Sequence, residues 1–281
     1  MKHEQLTVCK ANKVVEAGYK LSLNEQRVVL ACIGQVNSTK ELLKTDEFEL
    51  SANDFAKLFS VSEDRAYHAL LEVTKTLFER YIAIDNPYPD RPKIKQLKMR
   101  WISSIKYLPD EGKIILRFAQ DILPYLSELR ESFTKYKLEH IGKMTCIYAI
   151  RLYELLIQWQ GSGKREVEIE WLKKHFQLDE GYDRMFDLKK RVIDSAVNDI
   201  NEHSNLYVSW TQRKTGRRVT HLTFIFGDRQ DEKPKPLPRI REKTIFGLKR
   251  SEIEKGARPG ESWEEAATRI KRLKKEAAAK Q

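Results

Sequence analysis

Apolar residues recur along the chain at strand and helix spacings, and the order of these spacings occurs twice. In the first occurrence Ala66, Leu70, Val73 and Leu77 lie 4, 3 and 4 residues apart, which predicts one buried stripe on a helix. Each occurrence reads as a strand, a short helix, a longer helix and then β-structure. The predicted elements are Phe48–Leu50, Ala52–Phe59, Asp64–Phe78 and Tyr81–Asp85, then Glu166–Ile169, Glu170–Phe176, Asp183–Asn201, Tyr207–Arg213 and Arg218–Phe226.

Two helices followed by a β-hairpin are typical of the winged form of the helix-turn-helix. The fold class predicted is therefore α+β, with two tandem winged-helix domains and a basic C-terminal tail that we expect to be mobile. The predicted boundaries are 1–130 for the first domain, 131–227 for the second and 228–281 for a Pro-rich linker and tail. In the tail, 244–255 and 262–280 are candidates for short helices, and the alternative role for these residues is extra contact with DNA or a partner.

Four further segments complete the expected architecture. Ser22 and Glu25 have the spacing of a capping box, which predicts a helix to about Val36. Residues 121–129 should form a short helix, and 133–138 an extended link between the units. The strongly apolar stretch 144–160 should be the core helix of the second domain.

The charge favours a polyanionic partner. The 281 residues carry a net charge of +11. Residues 1–130 hold 20 basic and 18 acidic groups, residues 131–227 hold 16 and 13, and the tail holds 16 and 10. An anionic membrane is the weaker alternative, because no amphipathic Trp/Lys anchor dominates. No apolar run approaches the roughly 20 residues that span a bilayer. The three scattered cysteines and the absence of an apolar signal core predict a cytoplasmic protein.

The first unit combines a mixed helix with a basic hairpin. Glu63 and Asp64 at the start of its longer helix would repel phosphates, so this helix is expected to read bases poorly. Strand alternation places Lys98, Arg100 and Lys106 on one face of the hairpin that follows. That face is either a phosphate-facing wing or a strand edge that charge protects from aggregation.

The second unit has cations where a recognition helix meets the major groove. In the major groove, Arg and Lys side chains donate hydrogen bonds to the edge of guanine, and Asn side chains pair with the edge of adenine. Phe186, Ile193, Ala196, Val197 and Ile200 are expected on the buried side of its long helix, flanked by Leu188 and Val192. A solvated helix face is the alternative. The candidate DNA-binding residues of the helix are Arg184, Lys189, Lys190, Arg191 and Asn198, of which Asn198 should share the outward face with Lys190, Arg191 and Asp194.

The hairpin of the second unit should have a basic tip. Gly216 can take positive φ in a tight turn, and cations on either side of it suit backbone phosphates or the minor groove. These candidate residues are Arg213, Lys214, Arg217 and Arg218.

Enzyme chemistry is not expected, and no catalytic residue, metal ligand or cofactor is predicted. Gly161-Ser162-Gly163-Lys164 fails as a P-loop, because Gln158 replaces its first glycine and Arg165 its Ser/Thr. The six histidines have no metal-binding spacing. A nicking replication enzyme is the one catalytic alternative, and it lacks the expected cluster of metal ligands.

Three blocks resemble the plasmid replication initiators of the RepE/RepA/π type, the iteron-binding Rep_3 family. They are residues 17–30 with Leu-x-x-x-Glu-Gln-Arg, residues 133–156 (FTKYKLEHIGKMTCIYAIRLYELL), and residues 207–226 with a Lys-x-Gly-Arg turn. The resemblance covers about residues 6–227.

The resemblance implies that the chain binds repeated origin sequences as a monomer and represses its own gene as a homodimer formed through the first domain. It places the main base contacts on Lys189, Lys190 and Arg191, with weaker DNA contact from the first domain. It implies host DnaA, the replicative helicase and chaperones as partners. The alternative function is a winged-helix transcriptional repressor with no replication role.

Overall fold

The computed structural model describes residues 6–216, 218–229, 244–245, 248–249 and 263–278. Its chain divides into two compact units, Met1–Pro234 and Lys235–Gln281. Both winged helices lie in the first unit.

The chain begins with a strand and a capped helix. The Ser22 hydroxyl accepts from the Glu25 N–H at 3.3 Å, and the Glu25 carboxylate accepts from the Ser22 N–H at 2.6 Å, so the predicted capping box is confirmed. The helix ends at Ile33, earlier than expected. The elements are β1 (Thr7–Ala11), α1 (Asn12–Val15), β2 (Gly18–Tyr19) and α2 (Leu23–Ile33).

The first winged helix has the predicted order of elements but two separate sheets. One sheet has the order β2-β4-β5 and the other β3-β7-β6. The chain passes from one sheet to the other at Trp101, which is buried with its ring edge-on to Tyr19. The elements are β3 (Phe48–Ser51), α3 (Ala52–Phe59), α4 (Glu63–Thr76), β4 (Tyr81–Asp85), β5 (Gln96–Arg100), β6 (Ile102–Leu108) and β7 (Lys113–Phe118).

The expected extended link is a paired strand. Strand β8 (Phe133–Lys137) is antiparallel to β1, with Thr7 opposite Lys137 and Ala11 opposite Phe133. A 3-10 helix, Gln120–Tyr125, precedes it where a short helix was predicted. Helices α5 (Glu139–Gly142) and α6 (Ile147–Ile157) follow, so the predicted helix 144–160 is confirmed in part and is shorter at both ends.

The second winged helix is confirmed element by element. Its sheet has the order β10-β11-β9, and its long helix, residues 185–203, has a π-helical segment within it. The elements are β9 (Lys164–Glu168), α7 (Ile169–Phe176), α8 (Met185–Asp187), the π-helical segment Leu188–Ile193, α9 (Asp194–His203), β10 (Leu206–Thr215) and β11 (Arg218–Asp228).

The buried apolar residues of the two winged helices form one cluster. It includes Val28 and Phe55 from the first, and Leu172 and Ile200 from the second. Gly142 lies where α5 crosses the end of α3, and a Cβ built there would lie 2.5 Å from the Leu58 carbonyl oxygen. The core is therefore continuous through α5 and α6.

The second compact unit contains a small hairpin and a helix. Strands β12 (Thr244–Ile245) and β13 (Leu248–Lys249) pair where a helix was predicted, so that prediction is wrong for residues 244–245 and 248–249. The rest of the predicted helix, 246–247 and 250–255, lies outside the described residues. The β-branched pair Thr244 and Ile245 favours a strand. The predicted second helix is confirmed as α10 (Trp263–Ala278), whose Ala266 and Ala267 are buried in a cluster with Leu248.

Candidate nucleic-acid interface

The long helix of the second winged helix presents a mixed face to solvent. Its exposed residues recur at helical spacing from the N-terminal end, where Arg184 has an extended backbone just before the first turn. The prediction that Asn198 shares this face with Lys190, Arg191 and Asp194 is confirmed. The exposed residues of this face, Arg184, Phe186, Lys190, Arg191, Asp194 and Asn198, form what we call the helix face.

Phe186 was expected in the core, and that prediction is wrong. Its side chain is 69% exposed, whereas Leu188, Val192 and Ile193 are fully buried. The cause is the π-helical segment, in which each turn takes up about one extra residue. The buried stripe that runs back from Ile200 and Ile193 therefore continues to Leu188 instead of Phe186.

The cations of the helix differ in their surroundings. Arg191 Nε lies 3.4 Å from Asp187 Oδ1, one turn earlier, and its side chain is still 68% exposed. Lys190 Nζ lies 5.7 Å from the Phe186 ring centroid and Lys189 Nζ 5.9 Å from that of Trp210. Because Lys189 is half-buried beside Trp210, it lies off the helix face.

Trp210 was not singled out by the sequence. Its indole N–H donates to Asp194 Oδ1 at 3.1 Å, which ties strand β10 to the exposed side of α9. The alternation of β10 places it on the face towards the helix, opposite Phe224 of β11. The alternation of apolar residues along β10 is therefore the feature of the sequence that could have placed Trp210 next to the helix.

The tip of the second hairpin is only partly as predicted. Gly216 has φ +62, as expected, and Lys214 and Arg218 are exposed beside it. Arg213 instead turns to β9, where its Nη2 lies 2.8 Å from Glu166 Oε1. The pKa of Glu166 is lowered, and the hydrogen bond from Arg213 is the main cause. Arg217 lies outside the described residues.

The first winged helix does not gather its cations on one face. Lys98 and Arg100 lie on β5, and Lys106 lies on β6 in the other sheet, so the prediction of a single basic face is wrong. Sheet membership depends on distant strand partners, which alternation along one segment does not report. Both β5 and β6 are edge strands of their sheets.

Each of these three cations has a partner in the same chain. Lys98 Nζ lies 3.6 Å from the Tyr81 ring centroid, and Arg100 bonds Glu79 through both terminal nitrogens at 3.1 Å. Arg100 also donates to the Phe78 carbonyl, and Lys106 lies 2.7 Å from Glu47. Because the three cations are already paired, these contacts favour strand edges that charge protects from aggregation over a wing that binds phosphates. DNA contact by Lys98 and Arg100 stays a prediction.

Buried polar side chains that the sequence did not point to join the two winged helices. Arg27 of α2 donates to the Met144 carbonyl at 2.9 Å. From α9, Asp199 Oδ2 accepts from the backbone N–H groups of Thr145 and Cys146 at 2.9 and 2.8 Å. The turn between α5 and α6 is therefore held from both sides, which fixes α9 relative to the first winged helix.

A second buried group ties α6 to the N-terminal segment and to α7. The Arg151 guanidinium donates to the carbonyls of Ala17 at 2.7 Å, Tyr19 at 3.0 Å and His175 at 3.1 Å. Burial, and then the charge of Arg151, hold the pKa of His175 well below its usual value. Lys10 and Glu154, also buried, are 2.7 Å apart. The one sign of this buried polar group in the sequence is Arg151, a charged residue within the apolar stretch 144–160.

The described residues show no sign of a metal, nucleotide or membrane-spanning site. No group of three His, Cys, Asp or Glu side chains among them could hold a metal ion. The stretch Gly161–Lys164 follows α6 and leads into β9, whose first residue is Lys164, with Gly163 at φ +61, and so it precedes a strand instead of a helix. Within the same ranges, no helix has the length and apolar content to cross a membrane.

Two family models match this chain. Initiator Replication protein, WH1 (Rep3_N), matches residues 7–157, and Initiator Rep protein, WH2 (Rep3_C), matches residues 168–226. The chain belongs to the Rep3 family of replication initiators. The family predicted from the sequence is confirmed, and so are its two winged helices.

Similar proteins agree with this family. A "Replication initiation protein" of Escherichia coli is 29% identical over 227 residues, which are 78% of this chain and 69% of that protein. The "PI protein" of E. coli is 25% identical over 251 residues, covering 76% of this chain and 82% of the relative.

The fold of the chain is also that of a solved initiator. A crystal structure of Pi initiator protein in complex with iteron DNA matches with a TM-score of 0.68. The match covers 81% of this chain and 99% of the other, at 23% identity. At that identity the likeness concerns the fold.

Proposed function

We propose that this chain is a plasmid replication initiator that binds iteron repeats at its origin as a monomer. The observation that carries the proposal is the helix face, where Arg184, Lys190, Arg191 and Asn198 are exposed on the long helix of a Rep3 winged helix. Arg and Asn side chains are the usual partners of guanine and adenine in the major groove. Once bound, the protein promotes origin opening and replisome loading.

The proposal divides the DNA contacts by chemistry. Lys190 and Arg191 read base edges, and Asn198 lies further along the same face. Lys189 and the hairpin cations Arg213, Lys214, Arg217 and Arg218 hold phosphates, and Arg213 contributes less than Lys214 and Arg218, because it is paired with Glu166. The first winged helix, within residues 1–130, adds weaker DNA contact through Lys98 and Arg100.

The remaining functions rest on the family. The homodimer forms through the first domain and represses the initiator's own gene, while residues 131–227 carry sequence-specific binding. Host DnaA, the replicative helicase and chaperones are the partners, and the protein acts in the bacterial cytoplasm on plasmid DNA. It needs no cofactor and catalyses no reaction of its own.

Binding measurements on two variants test the division of roles. Arg191→Ala should lose about 1–3 kcal/mol on a specific duplex and tolerate a change at one base pair. Lys214→Ala should weaken binding to all sequences alike and reduce the slope of log K against log salt by about 1. The specific duplex is the consensus that the wild-type protein selects from random-sequence DNA. Equal losses of specific and nonspecific binding in both variants would show that the assigned roles are wrong.

Transformation separates an initiator from a repressor. The gene and its flanking direct repeats are placed on a vector that cannot otherwise replicate in the host. Plasmid-bearing colonies are expected, and they should disappear when the repeats are deleted. Repression of the gene's promoter without any colonies would favour the repressor.

A further inference from the structure

Phe186 is the most exposed large apolar side chain among the residues whose exposure the structure describes, which leave out Ile245 and Trp263. It is 69% exposed, and the next, Leu43, is 52% exposed. Transfer of a phenyl ring from water to an apolar core is favourable, and Phe186 forgoes that stabilisation. The π-helical segment holds it outside, in the first turn of the long helix.

Cations outnumber acids around Phe186. Arg184, Lys190 and Arg191 share the helix face with it, against Asp194 alone among the acids of that face, and Lys190 Nζ lies 5.7 Å from its ring centroid. Asp187, next to Phe186 in the chain, is paired with Arg191. An apolar protein surface would have to desolvate these charges in order to cover the ring. A polyanion would neutralise them, so the charge of this face favours DNA as the occupant.

The position of Phe186 on the helix indicates which part of the DNA its ring contacts. The N-terminal residues of a recognition helix are those that reach base edges in the major groove. A phenyl ring has no hydrogen-bonding group, and the apolar feature of a base edge in that groove is the C5-methyl group of thymine. No other base edge carries a methyl group in that groove, cytosine having only a hydrogen at C5, and phosphates are polar.

We propose that Phe186 recognises thymine, by packing its ring against the 5-methyl group of one thymine in each repeat. The inference rests on the proposed function, since it places this helix in the major groove. It adds an apolar contact to the hydrogen bonds assigned to Lys190 and Arg191. Lys190, next to the ring, then lies at a neighbouring base.

Replacing thymine by deoxyuridine removes the methyl group alone. Burial of one methyl group is worth about 0.8 kcal/mol, which is roughly a fourfold change in Kd. The probe is the duplex that the wild-type protein selects from a random-sequence pool, remade with deoxyuridine at one thymine position at a time. Wild-type protein should bind about fourfold more weakly at one position and unchanged at the others.

Combining the variant Phe186→Ala with the thymine-to-deoxyuridine change gives a double-mutant cycle between the side chain and the methyl group. Phe186→Ala should bind the thymine and deoxyuridine duplexes equally, whereas Phe186→Leu should keep part of the difference. Phe133→Ala is the matched control, because Phe133 is also an exposed phenylalanine, lies on β8 and should leave the wild-type pattern intact. Thermal unfolding of each variant establishes that the fold is retained.

The outcomes separate this inference from the function on which it rests. If wild-type protein binds its consensus but no deoxyuridine weakens it, or if the difference persists unchanged in Phe186→Ala, Phe186 does not read a methyl group. If the wild-type protein selects no consensus at all, the proposed function itself fails.

Discussion

Asp199 should be the side chain on which the junction of the two winged helices depends most. It lies on α9, is 8% exposed, and its Oδ2 accepts from the N–H groups of Thr145 and Cys146 at 2.9 and 2.8 Å. Cys146 is the N-terminal cap residue of α6 and has no side-chain capping bond of its own. A carboxylate from another helix therefore caps α6 and faces the positive end of its dipole.

The structure gives the size of the effect. In Asp199→Ala two backbone donors lose their acceptor, and each buried donor left unsatisfied costs about 1–3 kcal/mol. Since the opened site admits some water, we expect a loss of about 2–4 kcal/mol in the free energy of unfolding. Asp199→Asn keeps an oxygen in place and removes the charge, so its loss should be about 1 kcal/mol.

Urea unfolding of the wild type and three variants is the assay. Glu202→Ala is the control, because Glu202 is exposed on the same helix and its removal should change stability by less than about 0.5 kcal/mol. The order of stability should be wild type and Glu202→Ala, then Asp199→Asn, then Asp199→Ala. If Asp199→Ala unfolds together with the control, Asp199 does not cap α6 and the account of the junction is wrong.

Two other predictions concern the same junction. Gly142→Ala should destabilise the protein by about 1–3 kcal/mol, because its Cβ would lie 2.5 Å from a backbone oxygen of Leu58, whereas Gly161→Ala, with open space at that position, should be neutral in thermal unfolding. His175 is buried with a pKa well below its usual value of about 6.5, so the unfolded chain takes up a proton that the folded chain refuses. The stability that neutral His175 contributes is present above pH 6.5 and should fall by up to about 1.4 kcal/mol per unit as the pH drops below it. Between pH 7.5 and 5.5 the free energy of unfolding of His175→Gln should therefore change less with pH than that of the wild type. An equal pH dependence in the two proteins would contradict the argument.

Much of the fold follows from local patterns. The stripe on α4, the capping box at Ser22 and the glycine at the 216 turn depend on neighbours within a few residues, and the structure has all three. The three blocks of resemblance identified the family because they preserve this local order. Exposure of Lys190, Arg191 and Asn198 on one face of the long helix was predicted for the same reason.

Other features depend on residues far apart in sequence. Lys98 and Lys106 belong to different sheets because β5 pairs with β4 and β6 pairs with β7. Asp199 caps a helix more than 50 residues away. Such pairings leave no periodic signal in either segment.

Two winged helices, their family and a run of cations at 189–191 in the second long helix follow from the sequence alone. Which side of that helix meets solvent at its N-terminal end depends on tertiary packing. An uninterrupted α-helix would bury Phe186 with Ile193 and Ile200, but packing of Leu188, Val192 and Ile193 into the core selects a π-helical segment. One extra residue in a turn rotates everything before it, and that rotation places an aromatic ring among the cations.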